Sequence, residues 1–113
     1  MIDSIVFQAA NDTVDEGSRL NITATFRDQV ARLAATPTTV HWTLRDPDDC
    51  REIVPLTPVT PGPSVTLVTT ATNTLACRRE ERREVTVIVD NGLATQFVSR
   101  YVYQIRNIGA LRK

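Results

Sequence analysis

The sequence predicts an all-β chain, an immunoglobulin-like antiparallel β-sandwich of about seven strands, on three observations. Apolar and polar residues alternate with a period of two in several segments, the pattern of strands that bury one face. Groups of Gly, Pro, Asn and Asp break the chain at intervals of roughly ten residues, the spacing of sandwich turns. No window sustains a helical period, and Val and Thr, which favour pleated surfaces, dominate the composition. At 113 residues, 42% hydrophobic and 23% charged, the chain has enough apolar material for one domain spanning residues 1–113.

The elements follow in order. Residues 2–9 form a short apolar first strand, and the stretch from Asn11-Asp12 to Asp15-Glu16-Gly17-Ser18 a turn. From Leu20 to Asp28 the alternation is strict: Leu20, Ile22, Ala24 and Phe26 share one face, Asn21, Thr23, Thr25 and Arg27 the other. Residues 29–35 are too short for a stable helix, and Pro37 disfavours helical angles at Thr36, so this stretch reads as a crossing loop. Residues 38–45 alternate again and set Val40, Trp42 and Leu44 inward, with His41 on the polar face. Asp46-Pro47-Asp48-Asp49 reverses the chain, because Pro fixes φ and Asp side chains bond the following backbone.

Residues 53–59 carry Pro55 and Pro58, each without a ladder donor, so the segment belongs at a sheet edge. After Pro61-Gly62-Pro63, residues 64–70 make a compact strand with Val65 and Leu67 inward, and residues 73–77 a brief turn or helical loop. Residues 78–84 are all charged, with both signs mixed, and read as a solvated run. Val85, Val87 and Val89 then alternate with Thr86, Ile88 and Asp90, and Asp90-Asn91-Gly92 is a strong hairpin signal leading into residues 94–105. Ile88, Val98 and Val102 keep the outer face of this hairpin partly apolar, which marks Val98 and Val102 as a candidate partner surface.

Few residues suit chemistry. Thirteen basic and thirteen acidic residues give formal neutrality, which argues against a nucleic-acid coat or a polybasic membrane binder and leaves protein as the expected partner. His41 and two cysteines are too few for a tetrahedral zinc site. Asp46, Asp48 and Asp49 resemble part of a calcium loop, yet the Gly and distal Glu of an EF-hand are missing. With no Gly-rich phosphate loop and no Gly-Xaa-Ser-Xaa-Gly elbow, neither an enzyme nor a bound cofactor is expected.

Two constellations remain. Cys50 and Cys77 are not placed for the B–F bridge of antibody domains, but the sandwich topology sets their loops at one end; reduced thiols are the expectation, a pair after release the alternative. Arg78, Arg79, Arg82 and Arg83 are interleaved with Glu80, Glu81 and Glu84, which cancel most of their far field. The acidic turn at residues 46–49 lies at the same end, so guanidinium–carboxylate pairing within or between subunits is open to them; pairing across an interface is the expectation, a solvated loop the alternative. The apolar tail around Ile108 and Leu111 is a further candidate for docking on a neighbour.

Four stretches, Ala24-Thr25-Phe26-Arg27-Asp28, Pro37-Thr38-Thr39-Val40-His41-Trp42, Glu81-Arg82-Arg83-Glu84-Val85-Thr86-Val87 and Tyr103-Gln104-Ile105-Arg106-Asn107-Ile108, resemble small immunoglobulin-like virion proteins of tailed bacteriophages. That resemblance spans most of the chain and implies a structural, non-enzymatic role on the particle. The expected function is a capsid decoration or cement subunit present in many copies, with phage capsid or tail proteins as partners. A head–tail connector or tail accessory subunit is the alternative, and a free module binding protein or carbohydrate the rival. The start Met1-Ile2-Asp3-Ser4 lacks the basic and apolar regions of a secretory signal, so synthesis in the host cytoplasm and residence in the virion are expected.

Overall fold

The computed structural model describes residues 2–9, 13–15, 19–29, 32–48, 50–68, 80–90 and 96–106, and every regular element among them is a strand. The first sheet holds β1 (Ser4–Ala9), β3 (Asn21–Asp28), β4 (Leu33–Ala34) and β7 (Ser64–Val68). The second runs in the order β2 (Thr13–Asp15), β9 (Gln96–Arg106), β8 (Glu80–Asp90), β5 (Thr39–Asp46) and β6 (Arg51–Val59). All pairings are antiparallel except that of β2 with β9. This is the β-sandwich that the alternation predicts, compatible with an immunoglobulin-like arrangement, with nine strands among the described residues where about seven are expected and one parallel pairing among them.

Alternation fixes which side chains meet between the sheets. Ile22, Ala24 and Phe26 of β3 and Val65 and Leu67 of β7 face Val40, Trp42 and Leu44 of β5, Val85, Val87 and Val89 of β8, and Tyr103 and Ile105 of β9 in one apolar cluster. Burying each large aliphatic side chain contributes about 1.5–3 kcal/mol, which makes this cluster the main favourable term in folding. The cross-strand rows carry the pattern across the second sheet: Trp42 stands opposite Val87, and Val87 opposite Ser99.

β6 takes an edge of the second sheet, as its prolines require, with Pro58 opposite His41. Its pairing with β5 shifts register between Trp42 and Leu44 and again between Leu44 and Arg45. Such shifts bend a strand and spoil its outer edge for further pairing.

The structure departs from the sequence reading at three places. The stretch read as a turn after the first strand contains β2, which carries the chain from one sheet to the other and aligns Val14 with Ile105. The stretch read as a crossing loop contains β4, which continues the ladder of β3 through Asp28 and Leu33, with Arg32 at φ 57° turning the chain between them. The charged run is not uniformly solvated: from Glu80 onward it is the first half of β8, paired along its whole length with β9.

Candidate functional site: a charged turn and an open flank

β5 ends at Asp46, the fourth inward position after Val40, Trp42 and Leu44, and its side chain is completely buried. Its Oδ1 accepts a hydrogen bond from the backbone N–H of Asp48 at 3.0 Å, the Asx-type bond that opens the reversal into β6. Its Oδ2 lies 3.4 Å from Nη1 of Arg83, also completely buried, which donates in addition to the carbonyl of Arg82 at 2.9 Å. Arg83 occupies the inward face of β8 in phase with Val85, Val87 and Val89, opposite Tyr103 on β9. The pair therefore caps the end of the core, where each ion offsets part of the other's lost hydration.

Arg82, one residue earlier, points outward. Its guanidinium binds Asp48 at 2.5 Å, and the hydrogen bond first, then the carboxylate charge, hold its pKa above the ordinary arginine value. Both arginine–aspartate pairs form within one chain. Cys50 ends this turn, exposed and with φ 54°, in the left-handed region that disfavours any residue with a Cβ. Asp49, Cys77, Arg78 and Arg79, together with Asn91-Gly92 and the tail at 107–113, lie outside the described residues, as do Glu16, Gly17 and Ser18.

A second ionic cluster sits on the outer face of the second sheet. Glu84 is flanked by Arg45 at 3.0 Å and Arg100 at 3.5 Å, so one carboxylate joins β5, β8 and β9. His41 lies on the same face, half-buried, beside Ile88 and Pro58. Among the described residues, no three His, Cys, Asp or Glu side chains are grouped to hold a metal ion.

Val98 and Val102 lie on this outer face too, 42% and 44% exposed. Val98 stands opposite Ile88, extending an apolar row, whereas Val102 stands opposite Glu84. Both belong to β9, whose far edge is paired at its C-terminal end: β2 covers Gln104, Ile105 and Arg106, held there by Arg106, which donates to Asp15 Oδ1 at 2.8 and 2.9 Å. Among the described residues no strand pairs with that edge from Gln96 to Arg100, and an edge of this kind offers N–H and C=O groups for pairing.

The same flank exposes an edge of the first sheet. β1 pairs with β3 on one side and, among the described residues, with nothing on the other. Its ring at Phe7 stacks across the sandwich on Tyr101, centroids 5.6 Å apart at 27°, and both residues are only partly buried. Ile5 and Ala9 of β1 and Phe97 of β9 are half-buried at the same rim. Sequence reasoning singled out Val98 and Val102 and read β1 as a strand, but not as an open edge; its lack of charge and proline, which a central strand shares, was the one signal available. No protein-family model matches the chain, and no curated protein matches it in sequence.

Proposed function

We propose that this chain is a non-enzymatic structural subunit of a tailed-phage virion, a capsid decoration or cement protein that bridges neighbouring shell proteins. The observation that carries the reading is the flank of β9: the exposed Val98 and Val102 beside an edge with which, among the described residues, no strand pairs from Gln96 to Arg100. An edge of this kind recruits a strand from a neighbour through main-chain hydrogen bonds, with side-chain contacts selecting the partner. Repetition over many sites converts a modest individual affinity into firm attachment. The stretches that resemble immunoglobulin-like virion proteins overlap β3, β5, β8 and β9. Against a free carbohydrate-binding module stands the placement of the aromatics: Phe26, Trp42 and Tyr103 are buried, and Phe7 and Tyr101 stack on one another.

The test is to purify particles from the producing host and quantify the 12.6 kDa chain against the major capsid protein. A near-stoichiometric ratio is the expected result. A handful of copies would assign the chain to the head–tail connector or tail instead, and absence from particles would overturn the virion reading and return the chain to the class of free binding modules. Replacing Val98 and Val102 together by Asp is expected to abolish incorporation while leaving the chain folded, since both side chains already face solvent.

A further inference from the structure

We infer that β1 is a self-association edge, and that its occupant is β1 of a second copy of this chain, added antiparallel about a two-fold axis through Val6. The inference concerns the isolated protein and does not rest on the virion reading.

Three observations converge on this strand. First, β1 reads Ser4-Ile5-Val6-Phe7-Gln8-Ala9, with no charge, no proline and no glycine, and pairs with β3 through its whole length without a register shift. Natural edges are commonly protected by lysine, proline or a bulge, and β6 of this same chain has two prolines and two register shifts. Second, β1 leaves its inward side chains incompletely covered. Ile5 and Phe7 remain partly buried, whereas Val65 and Leu67, the inward residues of β7 on the opposite side of β3, are 6% and 2% exposed. An added strand on the β1 side therefore removes more apolar surface from water than one on the β7 side.

Third, the strand is complementary to itself. In the antiparallel register centred on Val6, Ser4 stands opposite Gln8, Ile5 opposite Phe7, and Val6 opposite Val6, with no like charges apposed. Such an arrangement is isologous and closes at two copies. It would join the two four-stranded sheets into one continuous sheet. The other open edge on this flank suits a second copy less well: the register of β9 that sets Val98 against Val102 also sets Arg100 against Arg100.

Sedimentation velocity of the purified full chain, run from low to high micromolar concentration, tests the proposal. The wild type is expected to move from 12.6 kDa towards twice that mass, and Val6→Lys to stay at the single mass over the same range. Val6 points outward and is 41% exposed, so the substitution places like charges at the axis without entering the core. Val68→Lys, an equally outward change on β7, is expected to retain the dimer. A wild type that stays monomeric, a Val6→Lys protein that still dimerises, or equal dissociation by both variants would overturn the proposal. Should Val6→Lys fail to fold by circular dichroism, hydrogen exchange on the wild type decides: protection of the Ser4–Ala9 amides must rise with protein concentration, and protection independent of concentration sinks the idea.

Discussion

At the end of the sandwich where β5 turns into β6, two aspartates and two arginines are joined within the chain, one pair buried and one exposed. Along the flank formed by β1 and β9, two strand edges and a rim of half-buried apolar side chains have no neighbouring strand among the described residues. In the sequence the first region is conspicuous, a dense run of alternating charge, and the second is not. The difference teaches that charge density and docking capacity are separate properties. Arg82 and Arg83 already have carboxylate partners at home, while hydrogen-bonding groups on an open β edge await a partner strand.

The largest effect that could break this comparison is at the buried pair. Replacing Arg83 with Met removes the buried guanidinium that faces Asp46, and the expected loss of stability is about 3–5 kcal/mol. Urea unfolding would read it as a lower midpoint. Adding Asp46→Leu to Arg83→Met should recover most of that loss, because an apolar pair need not be stripped of hydration. Arg82→Ala, one residue away, is expected to leave the midpoint unchanged, since that guanidinium is solvated in both states. Equal effects at Arg82 and Arg83 would mean that the inward–outward distinction along β8 carries no energetic weight.

That distinction was legible in principle. Asp46 follows Val40, Trp42 and Leu44 in strict alternation, and Arg83 precedes Val85, Val87 and Val89 in the same phase. Reading the period two residues further in each strand places both ions inward; a run of seven charged residues hides the phase because composition and periodicity point in opposite directions there. β3, β5 and the β8–β9 hairpin were legible because each strand is long enough to repeat its pattern, and the edge position of β6 followed from two prolines. β2 and β4 were not, since three residues and two residues cannot show a period, and their existence depends on partners distant in sequence. The valines of β9 were legible as an outer-face anomaly. The openness of β1 was not, because an edge is defined by the absence of a neighbouring strand, which only the topology reveals.

A smaller effect is expected on the flank itself, where the comparison can be sharpened. Phe7→Ala removes a ring that is half-buried against Tyr101, and the cost should be about 2 kcal/mol, below the range for a fully buried Phe. The informative result is its combination with Tyr101→Ala. If the stacked pair closes the open side of the core, the two substitutions will be non-additive, the second costing less once the first has removed its partner. Strict additivity would show that each ring packs on the core independently and that the rim is not a unit.

The smallest effect returns to the turn and concerns backbone alone. Cys50 sits at φ 54°, where a residue with a Cβ is disfavoured by about 1–2 kcal/mol. Glycine relieves that strain but gains freedom in the unfolded chain, a loss of about 0.4–1 kcal/mol on folding. Cys50→Gly should therefore raise stability by a few tenths to about 1 kcal/mol, a rise in melting temperature of a few degrees for a domain of this size. Because Cys50 is exposed, no packing is lost with the thiol. A fall in melting temperature would mean that the side chain contributes more to the turn than its left-handed backbone costs. The Arg82–Asp48 and Arg83–Asp46 pairs would then hold the turn together with Cys50 and not by themselves.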